Sequence, residues 1–340
     1  MTMSAILKLA FDGSSITDDL APALARVGAR FDEQLISRIE PVNSLCQYIE
    51  RYRGKMLRPT LVFLAGMTAH PHDDGEPRDE LITIAAVLEM IHMATLVHDD
   101  VLDDAAVRRG SRTVNAMSGN ETAVILGDYL LSRSYHLCSQ LDTQSTALRV
   151  GEITAVVCEG EMLQLAHRGR HDLTEETYMK IIERKTAALI AGAMELGASH
   201  AGASDEAVRA MREIGLKLGT AFQIQDDLLD ITGNELAVGK TLGRDMDKGK
   251  LTLPIIHHLS QLDADQRDAA IEFFSSADTN DPSVRGAIVD AMHETGSIVY
   301  AREKAVHFVS GAKAALASFP PSPSRDALFA AADSVINREY

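Results

Sequence analysis

The chain is poor in cysteine, poor in basic residues relative to acidic ones, and without a long apolar run. Each shortage closes off a class of function. Its three cysteines, Cys46, Cys138 and Cys158, are far apart and form no C-x-x-C pair. Neither a disulfide framework nor a cysteine-built zinc site is expected, and a reducing cytoplasm is the compartment that fits. Against 49 Asp plus Glu stand 33 Lys plus Arg, a formal charge of −16. Such a chain lacks the basic field that nucleic-acid phosphates require, and the polybasic patch that an anionic bilayer attracts. No uninterrupted apolar stretch approaches the roughly 20 residues that span a bilayer. The N-terminal Met-Thr-Met-Ser-Ala-Ile-Leu-Lys lacks the basic-then-apolar order of a signal peptide, so none is expected.

Proline is the most informative shortage. Between Pro77 and Pro254 lie 176 residues without one, as long helices require, because proline removes an N–H and clashes with the preceding turn. The stretch is rich in Ala, Leu, Glu, Met and Lys, which are strong helix formers. Apolar residues recur at steps of three and four, as in Leu81, Ala85, Leu88, Ile91, His92 and Thr95. Segments 146–166, 175–196 and 205–229 behave alike, and no hairpin or strand alternation stands out. With 46% hydrophobic residues to fill a core, the expectation is an all-α bundle forming one domain over residues 1–340. Loops are expected at 70–77, at Arg109–Arg112, at Gly197–Ser204 with Ser204 as the next N-cap, and at 233–249. Residues 324–340 are expected to form a last short helix.

Two acidic clusters carry the chemistry. Asp99-Asp100-Val101-Leu102-Asp103 follows one apolar helical run, and Asp226-Asp227-Leu228-Leu229-Asp230 follows another. In D-D-x-x-D the outer carboxylates lie four residues apart on one helix face. Like charges at that spacing are unfavourable unless something positive sits between them. Several oxygen donors with incomplete protein coordination suit Mg²⁺, which keeps waters and accepts substrate phosphates. His98 reads as a packing or hydrogen-bonding neighbour. Basic residues gather nearby: Lys55 and Arg58, Arg108 and Arg109, and the run from Lys240 through Arg244 and Lys248 to Lys250. Arginine grips phosphate with paired donors and lysine with a point charge, so together they read as diphosphate clamps.

This ordered set resembles the trans-isoprenyl diphosphate synthases, the polyprenyl synthetase family. The similarity runs from about Gly54 to Lys250 through Gly54-Lys55-x-x-Arg58-Pro59, Asp99–Asp103 with Arg108-Arg109-Gly110, and Gly127-Asp128. It continues through Gly160-Glu161, Lys185-Thr186, Phe222–Asp230, Gly239-Lys240 and Gly249-Lys250. Weaker similarity extends through Tyr300–Lys304 to Asn337–Tyr340. The resemblance implies a helical bundle around a central cavity, a homodimer, and two substrates, an allylic diphosphate and isopentenyl diphosphate. It implies Mg²⁺, three ions per site with substrate bound, held by Asp99, Asp103 and Asp226. Asp100, Asp227 and Asp230 would act through water or other side chains. Arg108, Lys185, Lys240 and Lys250 would grip the allylic diphosphate, with Thr186 and Gln223 facing the cation formed from it. Lys55, Arg58, His92 and Arg109 would bind isopentenyl diphosphate. Glu161 and Gln164 are open between a catalytic part and satisfying polar groups in the bundle.

In this family the side chains before the first cluster limit product length. Here Ala94 and Thr95 are small, and Ile91, Leu88 and Val87 lie deeper without an aromatic stop. Since each buried CH₂ contributes about 0.8 kcal/mol, the expected product is medium to long, roughly C30 to C50. Met90, Met93, Tyr129 and Tyr135 are the residues that could block that route. Farnesyl or geranylgeranyl synthesis is the alternative, followed by a class I terpene cyclase or head-to-head enzyme and by a non-catalytic synthase subunit. The two complete clusters and the Lys55/Arg58 pair argue against these last readings.

Overall fold

Every residue from Leu81 to Ile91 is buried in the computed structural model. These residues form the middle of a helix, α4 (Asp79–Leu102), which is apolar nearly all round and must therefore be enclosed. It is enclosed by α1 (Ser15–Leu35), α3 (Leu57–Ala69), α6 (Asn120–Cys138) and α9 (Ala188–His200). The structure describes residues 15–50, 54, 56–70, 78–233, 244–276 and 281–337. By length and hydropathy α4 alone among the described residues would pass for a bilayer-spanning helix, but 78% of its apolar window lies inside the bundle, the surroundings of a core helix.

The architecture is all-α. A second long helix, α10 (Asp205–Thr232), packs on α9 and on α15 (Ser297–Leu316), and α16 (Pro323–Ile336) closes against α15. Between them run α2 (Glu40–Ile49), α5 (Val114–Ser118), α7 (Gln144–His167), α8 (Glu175–Ile182), α11 (Arg244–Asp247), α12 (Leu253–Gln261), α13 (Ala264–Ser276) and α14 (Pro282–Glu294). One hydrophobic core runs from Ile16 to Val335. Ser204 caps α10, its hydroxyl accepting from the Ala207 N–H at 3.3 Å.

Three local expectations are corrected. The Arg109–Arg112 segment is a tight hairpin, β1 (Val107–Arg108) against β2 (Ser111–Arg112). Its Arg109-Gly110 turn has both φ angles positive, 51° and 77°, the geometry that matches strand twist in two-residue hairpins. The predicted turn at Gly197 is instead helix as far as His200. A Cβ on Gly197 would collide with the Val62 carbonyl, so this glycine serves close packing of α3 on α9 and not chain reversal. Finally, the helix expected over 175–196 is interrupted by one π-helical turn, Glu183–Ala187, between α8 and α9. The expected loops at 70–77 and 233–249 fall largely outside the described residues.

Candidate active site

The two acidic clusters sit at the C-terminal ends of α4 and α10, where each apolar run gives way to solvent. Helix C-termini are poor places for carboxylates, since the macrodipole is negative there, so compensating cations are needed. The π turn supplies one. Lys185 Nζ lies 2.5 Å from Glu161 on α7 and 3.8 Å from Asp99. The turn approaches α7 at Gly160, where a Cβ would run into the Lys185 backbone. Single π turns concentrate at functional sites because the inserted residue re-aims its neighbours. Burial raises the Asp99 carboxyl above its ordinary value, with Glu161 and Asp103 adding to the rise and Lys185 opposing it. Burial also works against the Lys185 charge, yet Asp99 and Glu161 outweigh it and raise that pKa. Gln164 donates to Glu161 at 3.3 Å, so Glu161 orients Lys185 and Gln164 supports Glu161.

The remaining cluster carboxylates each hold a neighbour. Asp100 is buried and accepts from Arg108 Nε at 2.8 Å, which anchors the hairpin. Asp103 takes Lys250 at 2.9 Å, Lys248 at 3.1 Å and Arg168 at 3.2 Å. Burial acts to raise Asp103, but the two lysines win and hold it below the usual carboxylate value. On α10, Asp227 is buried and accepts from Tyr178 Oη at 2.6 Å and Gln223 Nε2 at 2.8 Å, while Thr186 donates to Gln223 Oε1 at 2.9 Å. Burial, Asp245 and Asp226 push Asp227 well above its ordinary value, opposed by its two donors. Asp230 accepts the Asp245 N–H at 3.1 Å.

A second basic group gathers around His92, two turns before Asp99 on α4. Burial depresses the Arg58 guanidinium to about 10, with Glu89 working against the fall and Arg109 adding to it. Burial, then Arg58, Arg109 and Arg108, force His92 well below its usual pKa. Gly54 faces the Arg109 guanidinium, 3.2 Å from where its Cβ would stand. The predicted Arg58, His92 and Arg109 are thus brought together; Lys55, like Lys240, lies outside the described residues.

A cleft connects the late segment to α7, α8 and α10, and Lys185, Thr186, Gln223, Asp227, Asp245 and Lys250 are among its walls. The sequence reading missed Tyr178, Arg168 and Asp245. Asp245, raised by burial and by Asp226 and Asp103 against the pull of Lys250 and Lys248, stands between the two clusters. Only its place in the basic run 240–250 pointed to it. His98 is the expected packing residue: its Nε2 pairs with the Val124 carbonyl at 3.1 Å, over Gly127, where a Cβ would strike the ring. The proposed length wall is closed packing here. Ala94 and Ile91 have no exposed surface, and Thr95 bonds back to the His92 carbonyl at 2.8 Å. Tyr135 is exposed on the outside, whereas Met90 and Met93 are in the core.

Among the described residues no three carboxylate, His or Cys side chains converge on a point. Carboxylates spread over two helix ends and crowded by burial suit ions shared between one or two carboxylates and phosphate oxygens, the habit of Mg²⁺. The donor set therefore fits the metal.

The polyprenyl synthetase family model matches residues 39–292. Over 327 residues the chain is 36% identical to the octaprenyl diphosphate synthase of Escherichia coli (strain K12), covering 95% of this chain and 98% of that one. The solved decaprenyl diphosphate synthase of Rhodobacter capsulatus superposes with a TM-score of 0.85 at 35% identity, over 94% of this chain and 98% of its own. A polyprenyl synthase from Caulobacter crescentus CB15, complexed with calcium and isoprenyl diphosphate, superposes at 0.83 and 30% identity over 98% of each chain. Relatives named for short-chain, geranylgeranyl and heptaprenyl synthases fall within 30 to 35% identity, so overall identity does not rank product length.

Proposed function

The chain belongs to the polyprenyl synthetase family, and on that premise we propose that it condenses an allylic diphosphate with isopentenyl diphosphate to give a linear trans-polyprenyl diphosphate of medium to long chain. The observation that carries the reading is the pairing of two carboxylate-bearing helix ends with two groups of cations. Lys185 and Lys250 reach the first cluster, and Arg58 and Arg109 gather with His92. One substrate diphosphate is assigned to each.

Asp99, Asp103 and Asp226 would hold Mg²⁺, three ions with substrate bound; there the metal supplies neutralisation of charge on the departing diphosphate. Arg108, Lys185, Lys240 and Lys250 bind that diphosphate and favour carbon–oxygen ionisation, as fixed charges aimed at developing charge do. Lys55, Arg58, His92 and Arg109 orient isopentenyl diphosphate so that its double bond faces the allylic carbon. Attack joins the two chains, and the proton that leaves is taken by the released diphosphate. Thr186 and Gln223 face the cation. The late segment 233–250 excludes water from it.

The small residues Ala94 and Thr95, with Ile91 below and no aromatic stop, support a medium to long product. Residues 1–340 act as one catalytic domain. The homodimer is assigned to α7, whose exposed Leu148, Ala155, Cys158, Met162 and Leu165 repeat at steps of seven, three, four and three. That is the seam of a helix awaiting a partner, and on α6 Ile125 is also 67% exposed. Three free cysteines, two of them buried, favour the cytoplasm. Incubation with farnesyl diphosphate, labelled isopentenyl diphosphate and Mg²⁺ tests the reaction class. A labelled linear diphosphate supports it, whereas a cyclic hydrocarbon or no reaction by the isolated protein contradicts it.

A further inference from the structure

Tyr178 is a buried phenol with no part in the reaction as described so far, yet its hydroxyl begins a chain of hydrogen bonds that ends in the cleft. The links are Tyr178 Oη to Asp227 Oδ2 at 2.6 Å, Gln223 Nε2 to Asp227 Oδ1 at 2.8 Å, and Thr186 Oγ1 to Gln223 Oε1 at 2.9 Å. In the structure the phenol and the amide NH₂ both donate to Asp227, whose two oxygens accept. The amide oxygen then points at Thr186, whose hydroxyl has a single proton and spends it there. What Thr186 offers to the cleft is oxygen lone pairs. The circuit also closes on itself, because Thr186 sits on the π turn that continues directly from the helix carrying Tyr178.

We propose that Tyr178 is a positioning residue that sets the polarity of the Thr186 hydroxyl, so that lone pairs and not a proton face the allylic cation. With the phenol present, each Asp227 oxygen has a donor, Tyr178 on Oδ2 and Gln223 on Oδ1, which holds the carboxylate in place and with it the Gln223 amide. Without it, Asp227 Oδ2 has lost its donor and the carboxylate is free to rotate away from Gln223; an amide that Asp227 no longer holds can turn over, and the Thr186 proton can swing into the cleft, where it repels positive charge. The inference rests on the prenyl-transfer reading above, since it requires a cation beside Thr186.

The test is Tyr178→Phe, which removes one oxygen, combined with Thr186→Val and Thr186→Ser in a double-mutant cycle. Tyr178→Phe should lower kcat on the order of 10- to 100-fold while the KM for isopentenyl diphosphate, assigned to the separate group of Arg58, His92 and Arg109, changes little. In the Thr186→Val background, which has no hydroxyl to orient, the Tyr178→Phe effect should vanish; with Thr186→Ser, which keeps the hydroxyl, it should persist. Asp227→Asn, which keeps the shape but no longer dictates the amide direction, reads the same relay from its middle if Tyr178→Phe folds poorly. An unchanged kcat in Tyr178→Phe, or an equal loss in the Thr186→Val background, overturns the relay. Absence of any chain elongation by the unaltered protein would instead overturn the functional reading beneath it.

Discussion

Lys250 donates to both carboxylate oxygens of Asp103, at 2.9 and 3.1 Å, across 147 residues of sequence. Lys248 reaches the second oxygen at 3.1 Å. The late segment is thereby fastened to the first acidic cluster through a residue that the proposed mechanism needs for metal. Lysine and metal compete for the same lone pairs. Replacing both lysines with glutamine should therefore tighten Mg²⁺ binding to the free protein by a few fold, on the order expected for partly exposed ion pairs. It should also slow turnover about tenfold or more, because the diphosphate loses the Lys250 charge. Isothermal titration with Mg²⁺, alongside steady-state rates, checks both signs. Unchanged metal affinity would mean the lysines do not guard Asp103.

Ala94 is completely buried, so enlarging it has two consequences. Ala94→Phe should shorten the product, because the ring would stand across the passage assigned to the growing chain. It should also cost about 1–3 kcal/mol of stability, the usual penalty for overfilling a packed core. Product chromatography and a melting curve read these separately. A destabilised protein with an unaltered product would move the length limit to another helix.

His92 gives the fold an acid sensitivity of known sign. Burial, reinforced by Arg58, Arg109 and Arg108, holds its pKa well below 6.5. The unfolded chain therefore takes up a proton as pH falls through about 6.5, which the folded protein refuses. Stability from this residue is complete above that pH and declines below it, by at most about 1.4 kcal/mol per pH unit for one proton. His92→Gln should flatten this part of the unfolding profile between pH 7 and 5. Isopentenyl diphosphate should flatten it in the unaltered protein, by bringing negative charge to the imidazole. An identical slope in His92→Gln would contradict the assignment.

The α7 stripe predicts association. Met162→Glu combined with Leu148→Glu places charges on two seam positions that are 61% and 67% exposed, and should convert the dimer to monomer in sedimentation equilibrium. A dimer that survives both changes would assign the interface elsewhere.

The parts of this protein that were legible in its sequence are those written in local spacing. The outer aspartates of each cluster share a helix face because they lie four apart, and α4 was readable because a run such as 81–91 has nowhere to go but the core. Helix-period arguments could not reveal the π turn, since a single inserted residue leaves the apolar pattern on either side intact. Tyr178 was invisible for a different reason. Its partner Asp227 is 49 residues away, and a contact at that distance leaves no mark on either segment. Glycines were misread where the cause was spatial: Gly197 looked like a turn, but it makes room for the Val62 carbonyl of another helix. Arg109 held the opposite surprise, a left-handed backbone on a residue without glycine's freedom, at the tip of a hairpin that delivers a guanidinium beside Arg58 and His92.

The most direct test of the account is the mass distribution of products formed from farnesyl diphosphate with excess isopentenyl diphosphate and Mg²⁺. The account predicts a ladder of linear diphosphates rising in five-carbon steps and accumulating at a medium to long chain. A reaction that halts at geranylgeranyl diphosphate would contradict the length reading drawn from the small Ala94 and Thr95, and the absence of any ladder would contradict the site itself.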